Sequence, residues 1–324
     1  MKIVEFGISM AVVLFCAVLI FFATDVRARD TDELCWKWVV GQSRVYCLTV
    51  ERHQRAKADR TFTTRLKVNA VLKLTARSED AGVAVVDMKF ESLRIEQHAG
   101  KTHYLYDSKT PAKPGDSENL WALAAARIIS SKFEFQQGSN GEISDLRGFD
   151  ENLDALLKTK RHIAKDTAFQ VKRVFANTEF MRILNNSFNI LPERAVSEGD
   201  TWERTEDIDL GIGLTVRRNE KYVFEKKNYG GRAGIMRVTM TGNMALPAGS
   251  DGVVVLPGGS ACVRLGENSL FGEGLFSNVS GDLIKQECKG VLRLETVLSS
   301  TEDAGADRSV RSDLSQTFKM ELMP

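Results

Sequence analysis

The run Arg60-Thr61-Phe62-Thr63-Thr64-Arg65-Leu66-Lys67-Val68-Asn69-Ala70-Val71-Leu72-Lys73-Leu74-Thr75-Ala76 decides the fold. Its even positions carry Phe62, Thr64, Leu66, Val68, Ala70, Leu72, Leu74 and Ala76, while Arg65, Lys67, Asn69, Lys73 and Thr75 occupy odd ones. Period two held over this length is a strand with one buried and one wet face. At roughly 3.4 Å per residue it spans about 50 Å, too long for a small closed barrel and suited to a twisted sheet that curls around something. Arg77 to Gly82 breaks the pattern and Val83 restarts it. Val86, Met88 and Phe90 then share a face before the apolar phase moves to Leu93 and Ile95, which is what a one-residue bulge does. The expectation is a long, bent antiparallel hairpin.

Upstream, Met1-Lys2 leads into an apolar run from Phe6 to Ala23 and then Asp25-Val26-Arg27-Ala28-Arg29. Two readings fit: a secretory signal cleaved after Ala28, or an uncleaved anchor of about the shortest length that crosses a bilayer. Either places residues 29–324 outside the cytoplasm, as one domain. Cys16 reads as part of the apolar segment. The formal net charge is +1, a balance that argues against electrostatic binding of nucleic acid. Downstream of the segment lie Cys35, Cys47, Cys262 and Cys288. With Gly41 at the centre of a tight hairpin, Cys35 and Cys47 stand opposite each other, so the pairing predicted is Cys35–Cys47 and Cys262–Cys288. The alternative is four isolated thiols.

Between the sheet-rich stretches 29–110 and 192–324 the period changes. Asp116 or Ser117 caps a helix carrying Leu120, Trp121, Leu123, Ala124, Ile128 and Ile129. A short hairpin holds Phe133, Phe135, Ile143 and Leu146, with its turn at Gly138 to Gly141. Asp150 caps the next helix, with Leu153, Leu156 and Leu157; a second stretch carries Ile163, Phe169, Val171 and Val174, and Asn177 or Thr178 caps a third, with Phe180, Ile183 and Leu184. The middle, 111–191, is thus mainly helical. Beyond Gly199-Asp200-Thr201-Trp202, the residues Val216, Tyr222 and Phe224, then Met236, Val238, Met240 and Met244, form a second long hairpin, and further strands follow to Leu322. The fold class is mainly β with a helical middle region (α+β), with long twisted antiparallel hairpins packed against helices and two halves of similar element order.

No sequence motif marks a catalytic centre: His-Glu-x-x-His, Gly-x-Ser-x-Gly and a phosphate loop are all missing from the sequence. Four histidines, His53, His98, His103 and His162, would have to assemble any His-dependent site from distant pieces. His98 and His103 flank the turn Ala99-Gly100-Lys101 and face one another, but the pair lacks a third ligand close in sequence, so it reads as ordinary surface. Asp150 reads as a cap and Asp154 as solvated surface, and Asn185-Asn186-Ser187 and Asn278-Val279-Ser280 are glycosylation sequons. No residue is assigned as catalytic, cofactor-binding or metal-binding, and no cofactor is implied. The order of Trp36 to Tyr46, Tyr106-Asp107-Ser108, Gly141-Glu142-Ile143 with Leu146-Arg147-Gly148, Leu191-Pro192-Glu193 and Gly199-Asp200-Thr201-Trp202-Glu203 resembles a family of uncharacterised secreted proteins found chiefly in planctomycete bacteria. The resemblance implies location and domain extent and carries no activity. The functional expectation is a non-enzymatic extracytoplasmic protein that binds an apolar small ligand or an envelope protein, with a secreted hydrolase of dispersed site as the alternative.

Overall fold

The computed structural model describes residues 31–324 except 59, 111–118, 160–167, 169–170, 173, 210–213, 257–258 and 301–307. The N-terminal apolar segment, the Asp116 or Ser117 cap, and Ile163 and Phe169 lie outside the described residues. Among the described residues no helix is long and apolar enough to cross a bilayer, which says nothing of strands.

Thirteen strands belong to one antiparallel sheet: β1 (Ser43–Lys57), β2 (Thr61–Asp80), β3 (Val83–Ala99), β4 (Thr102–Asp107), β5 (Phe133–Gly138), β6 (Ile143–Arg147), β7 (Thr201–Asp209), β8 (Thr215–Lys226), β9 (Ile235–Ala245), β10 (Val253–Leu256), β11 (Gly259–Ser277), β12 (Asp282–Ser300) and β13 (Arg308–Leu322). Among the described residues three helices, α1 (Leu120–Ile129), α2 (Phe149–Thr159) and α3 (Asn177–Phe188), are delimited in the middle of the chain. The spatial order β6-β5-β3-β2-β1-β13-β12-β11-β9-β8-β7 puts the last strand at the centre, with an arm of five strands on either side. Strand β4 extends β3 and β10 extends β11 off this path. The first arm takes β1, β2 and β3 from the stretch 29–110 but β5 and β6 from the middle of the chain, whereas the second arm comes from 192–324.

The β2–β3 hairpin follows the alternation that predicted it. Ala70, Leu72, Leu74 and Ala76 are buried, and the register slips between Val71 and Leu72 so that Glu91 is the extra residue, where the apolar phase moves. Ala81 and Gly82, both at positive φ, make the turn. The buried face is shorter than the alternation. Leu66 and Val68 are only half-buried and Phe62 is 53% exposed, because the β1–β2 end runs past the packed core.

One apolar core joins both arms to the helices. Tyr46, Leu72 and Phe90 lie in register across β1, β2 and β3, and Phe90 meets Phe133, Phe149 and Phe180 edge-on at 5.8, 6.1 and 5.8 Å. Phe149 stacks at 3.9 Å on Phe133 and on Phe180, so α2 and α3 are fastened to the first arm through aromatic rings. From the other side Trp36 sets its ring edge-on to Phe188 of α3 and Phe276 of β11, and its indole N–H donates to the Phe188 carbonyl. Gly141 is required there, since a Cβ would lie 1.9 Å from the Phe188 oxygen. The caps differ in detail from expectation: Asn119 caps α1 by accepting from the Trp121 and Ala122 amides, and Asp150, inside the first turn of α2, accepts from the Asn177 amide.

The disulfide expectation is overturned, since all four cysteines are free. Residues 33–39 form no hairpin arm against β1. They cross the sheet instead, with the Trp36 amide on Ser139 and the Lys37 amide on Gly281, which carries Cys35 away from Cys47. Cys262 sits opposite Val297 and Cys288 opposite Gly272, roughly 30 Å apart along the same ladder. No bridge spans that distance.

Candidate functional site

The registers allow the concave face to be read in rows that run across both arms. One row passes through Trp202, Tyr222, Met240, Gly272, Cys288, Phe318, Val50, Val68, Ile95 and Tyr106 and is almost wholly apolar. The row two residues further along the strands changes chemistry: Arg204, Glu220, Gly242, Leu270, Gly290, Gln316, Arg52, Leu66, Gln97 and Tyr104. This second row is largely half-buried, so the core ends there and a band of mixed polarity begins. Beyond it, at the far end of the second arm, Leu214, Val216, Val254, Ala261 and Val263 form a separate small apolar cluster.

The charged members of this band are held by one another and by backbone. The Tyr222 hydroxyl donates to Glu220 at 2.9 Å, and Arg218 stands 3.2 Å from Glu220 while also donating to Glu206. Arg204 donates to the Leu191 carbonyl, and its guanidinium lies 5.6 Å from the Tyr222 ring centroid. Across the sheet, Arg52 donates to Gln316 at 3.2 Å. Burial sets the titration of this region. It pushes the Tyr222 hydroxyl well above its ordinary value, with Glu220 adding to the rise, and lifts the Cys288 thiol to about 11. The same desolvation draws the Arg204 guanidinium down. A buried thiol raised in this way is not a nucleophile at neutral pH.

The convex face carries a second constellation. In β1 to β4 the outward side chains also align in rows: His53, Arg65, His98 and His103 in one, and Glu51, Lys67, Glu96 and Leu105 in the next. His98 and His103 are partners across the β3–β4 hairpin, and their rings stack at 4.2 Å between centroids. Glu96, two residues before His98 and so on the same face, places a carboxylate oxygen 3.0 Å from His98 Nε2. That hydrogen bond holds the Glu96 carboxyl below its ordinary range. One nitrogen from each histidine and a Glu96 oxygen lie within 4.8 Å of one another. Beside them a groove of about 430 Å³ is lined by Arg65, Lys67, Asn69, Arg94, Glu96 and His98.

The sequence placed His98 opposite His103 and missed Glu96 beside them, although a strand brings every second residue to one face. It also missed the concave polar row. The signal was present: Arg218 and Glu220 occupy the apolar phase of Val216, Tyr222 and Phe224, as Arg204 and Glu206 occupy that of Trp202 and Ile208. The aspartates do not gather: Asp145 pairs with Arg147, Asp154 with Lys172, and Asp150 with the Asn177 amide. Asn185, the acceptor of one sequon, is bound through its amide to both backbone groups of Ile143.

Among solved structures, lipovitellin is similar at 11% identity and a TM-score of 0.43, over 89% of this chain and 26% of that one. The chain thus spans about a quarter of the lipovitellin chain's length. Two proteins of Pseudomonas aeruginosa, OccK5 (OpdH) and OpdQ, match at 6% and 5% identity with TM-scores of 0.27 and 0.25, over 89% and 88% of this chain and the whole of theirs. Likenesses this distant carry no argument about function. No curated protein matches the sequence. An uncharacterised family does match, over residues 81–250, more than half of the chain. The protein belongs to this family, described as a family of unknown function (DUF6263).

Proposed function

We propose that the protein is a non-enzymatic binding protein that works outside the cytoplasm and takes an amphipathic small ligand on the concave face of its sheet. The single observation that supports this most is the change of chemistry between adjacent rows: an apolar floor of Met240, Phe318, Val50 and Val68 abuts a half-buried row with Arg204, Glu220, Gln316 and Arg52. A closed core would continue the apolar row, whereas a site for a molecule with one apolar and one polar part needs both. Export rests on the segment 1–28, acting as cleaved signal or anchor, and on the resemblance to secreted planctomycete proteins, with 29–324 as the exported domain.

Titration of the full chain with 1-anilinonaphthalene-8-sulfonate tests the site, because the probe joins an apolar ring system to an anion. Saturable fluorescence is expected, weakened at least about tenfold, or 1.4 kcal/mol, by Leu66→Glu. Lys73→Ala, which points outward, should leave it unchanged. Failure to saturate, or equal binding by both variants, would remove the concave face as the site.

A further inference from the structure

On the opposite, convex face, independent of the reading above, the geometry points to a divalent metal site of the zinc class formed by Glu96, His98 and His103. The donor set is the first reason. Two imidazoles and one carboxylate are the ligands Zn²⁺ takes when three come from protein and further positions stay open. The backbone supplies the second. β3 and β4 are joined through the two residues Gly100 and Lys101, with Ala99 paired to Thr102, so His98 and His103 form the next pair inward, where side chains of a hairpin approach closely. Their rings accordingly stack with only 15° between planes. Glu96 joins them by the two-residue period of β3.

The distances suit a shared ion. Ligand atoms about 2.0–2.1 Å from a tetrahedral zinc stand roughly 3.3 Å from each other, and His98 Nε2 and the Glu96 oxygen are already 3.0 Å apart. All three donor atoms fall within 4.8 Å, so turning the His103 ring brings the last one to the ion while the strands stay in place. Two of the cations nearby are answered by carboxylates. Lys67 pairs with Glu51 at 2.6 Å, and Arg94 lies 3.5 Å from Asp107 and 3.8 Å from Glu96, holding the ligand carboxylate from its far side. The open coordination positions face solvent along the groove that Arg65, Lys67 and Asn69 line.

Isothermal titration of the chelator-treated full chain with zinc chloride tests the site. One equivalent should bind. Glu96→Gln, His98→Ala and His103→Ala should each weaken it at least about tenfold. His53→Ala, in the same cross-strand row but on the far side of Arg65, should bind as the parent does. The three ligand residues are exposed or half-buried, so each variant should keep the parent's metal-free melting temperature. No saturable uptake by the parent, or uptake unchanged in His103→Ala, would overturn the assignment.

Discussion

At the height of Leu72 the first arm fills the interior with large side chains: Tyr46, Leu72 and Phe90 stand in register, and all three are essentially inaccessible. One to three rows further along the strands, level with Ala70, Val68 and Leu66, the inner positions of β11 and β12 in the second arm include Gly274, Gly272 and Gly290, and the neighbouring strand β9 offers Gly242. Here each of these glycines of β11 and β12 makes room for its cross-strand partner, Cys288, Gln286 or Leu270, and Ile190 comes down onto Gly274. A Cβ at Gly274 would lie 2.6 Å from Ile190 Cδ1 and 2.7 Å from Gln286 Oε1, and one at Gly290 would lie 2.8 Å from Leu270. The first arm is a packing surface that carries α2 and α3. The second is thinned, and the polar row with Glu220 and Arg204 rises beside its glycines.

Leu72→Ala attacks the filled arm and should have the largest effect. Chemical denaturation should show a loss of about 2 to 5 kcal/mol, since Leu72 is 1% exposed and its neighbours are rings that cannot collapse into the space. A smaller loss, below about 1 kcal/mol, would mean that the first arm is as loosely filled as the second. Gly274→Ala inverts the experiment by adding one carbon to the thinned arm. Overpacking against Ile190 and Gln286 should cost about 1 to 3 kcal/mol. A neutral result would mean that the 188–191 segment does not seat on Gly274, and the contrast between the arms would fail. Lys73→Ala, whose side chain is exposed, should change stability by less than about 0.5 kcal/mol and sets the scale for the other two.

Much of this contrast was written in the sequence, for reasons that differ by region. The β2–β3 hairpin was legible because one face is buried and the other wet, so alternation records the register and the phase change records the bulge. The strands of the second arm were legible as one sheet-rich stretch, whereas the first arm also recruits β5 and β6 from the middle of the chain. That β13, the last strand, lies between the arms was not legible, because pairing partners distant in the chain leave no local trace. The Cys35–Cys47 bridge failed for the same reason. Trp36 and Trp38 look like a strand by alternation, yet Trp36 belongs to a contact with Phe188 and Phe276 from remote parts of the chain. The sites were partly visible. Glu220 and Arg218 stood in an apolar phase, a departure that periodicity can register but cannot explain without the neighbouring strands. Glu96 was hidden by reading His98 and His103 as a pair and not as one row of a face.

The central claim is that the concave face holds an amphipathic small molecule, and native mass spectrometry of the protein purified from its own host tests it most directly. The account predicts a complex heavier than the chain by one discrete small-molecule mass, released by organic solvent and reduced in Leu66→Glu but retained in Lys73→Ala. A bare chain from the native host, or an adduct that persists equally in Leu66→Glu, would contradict it.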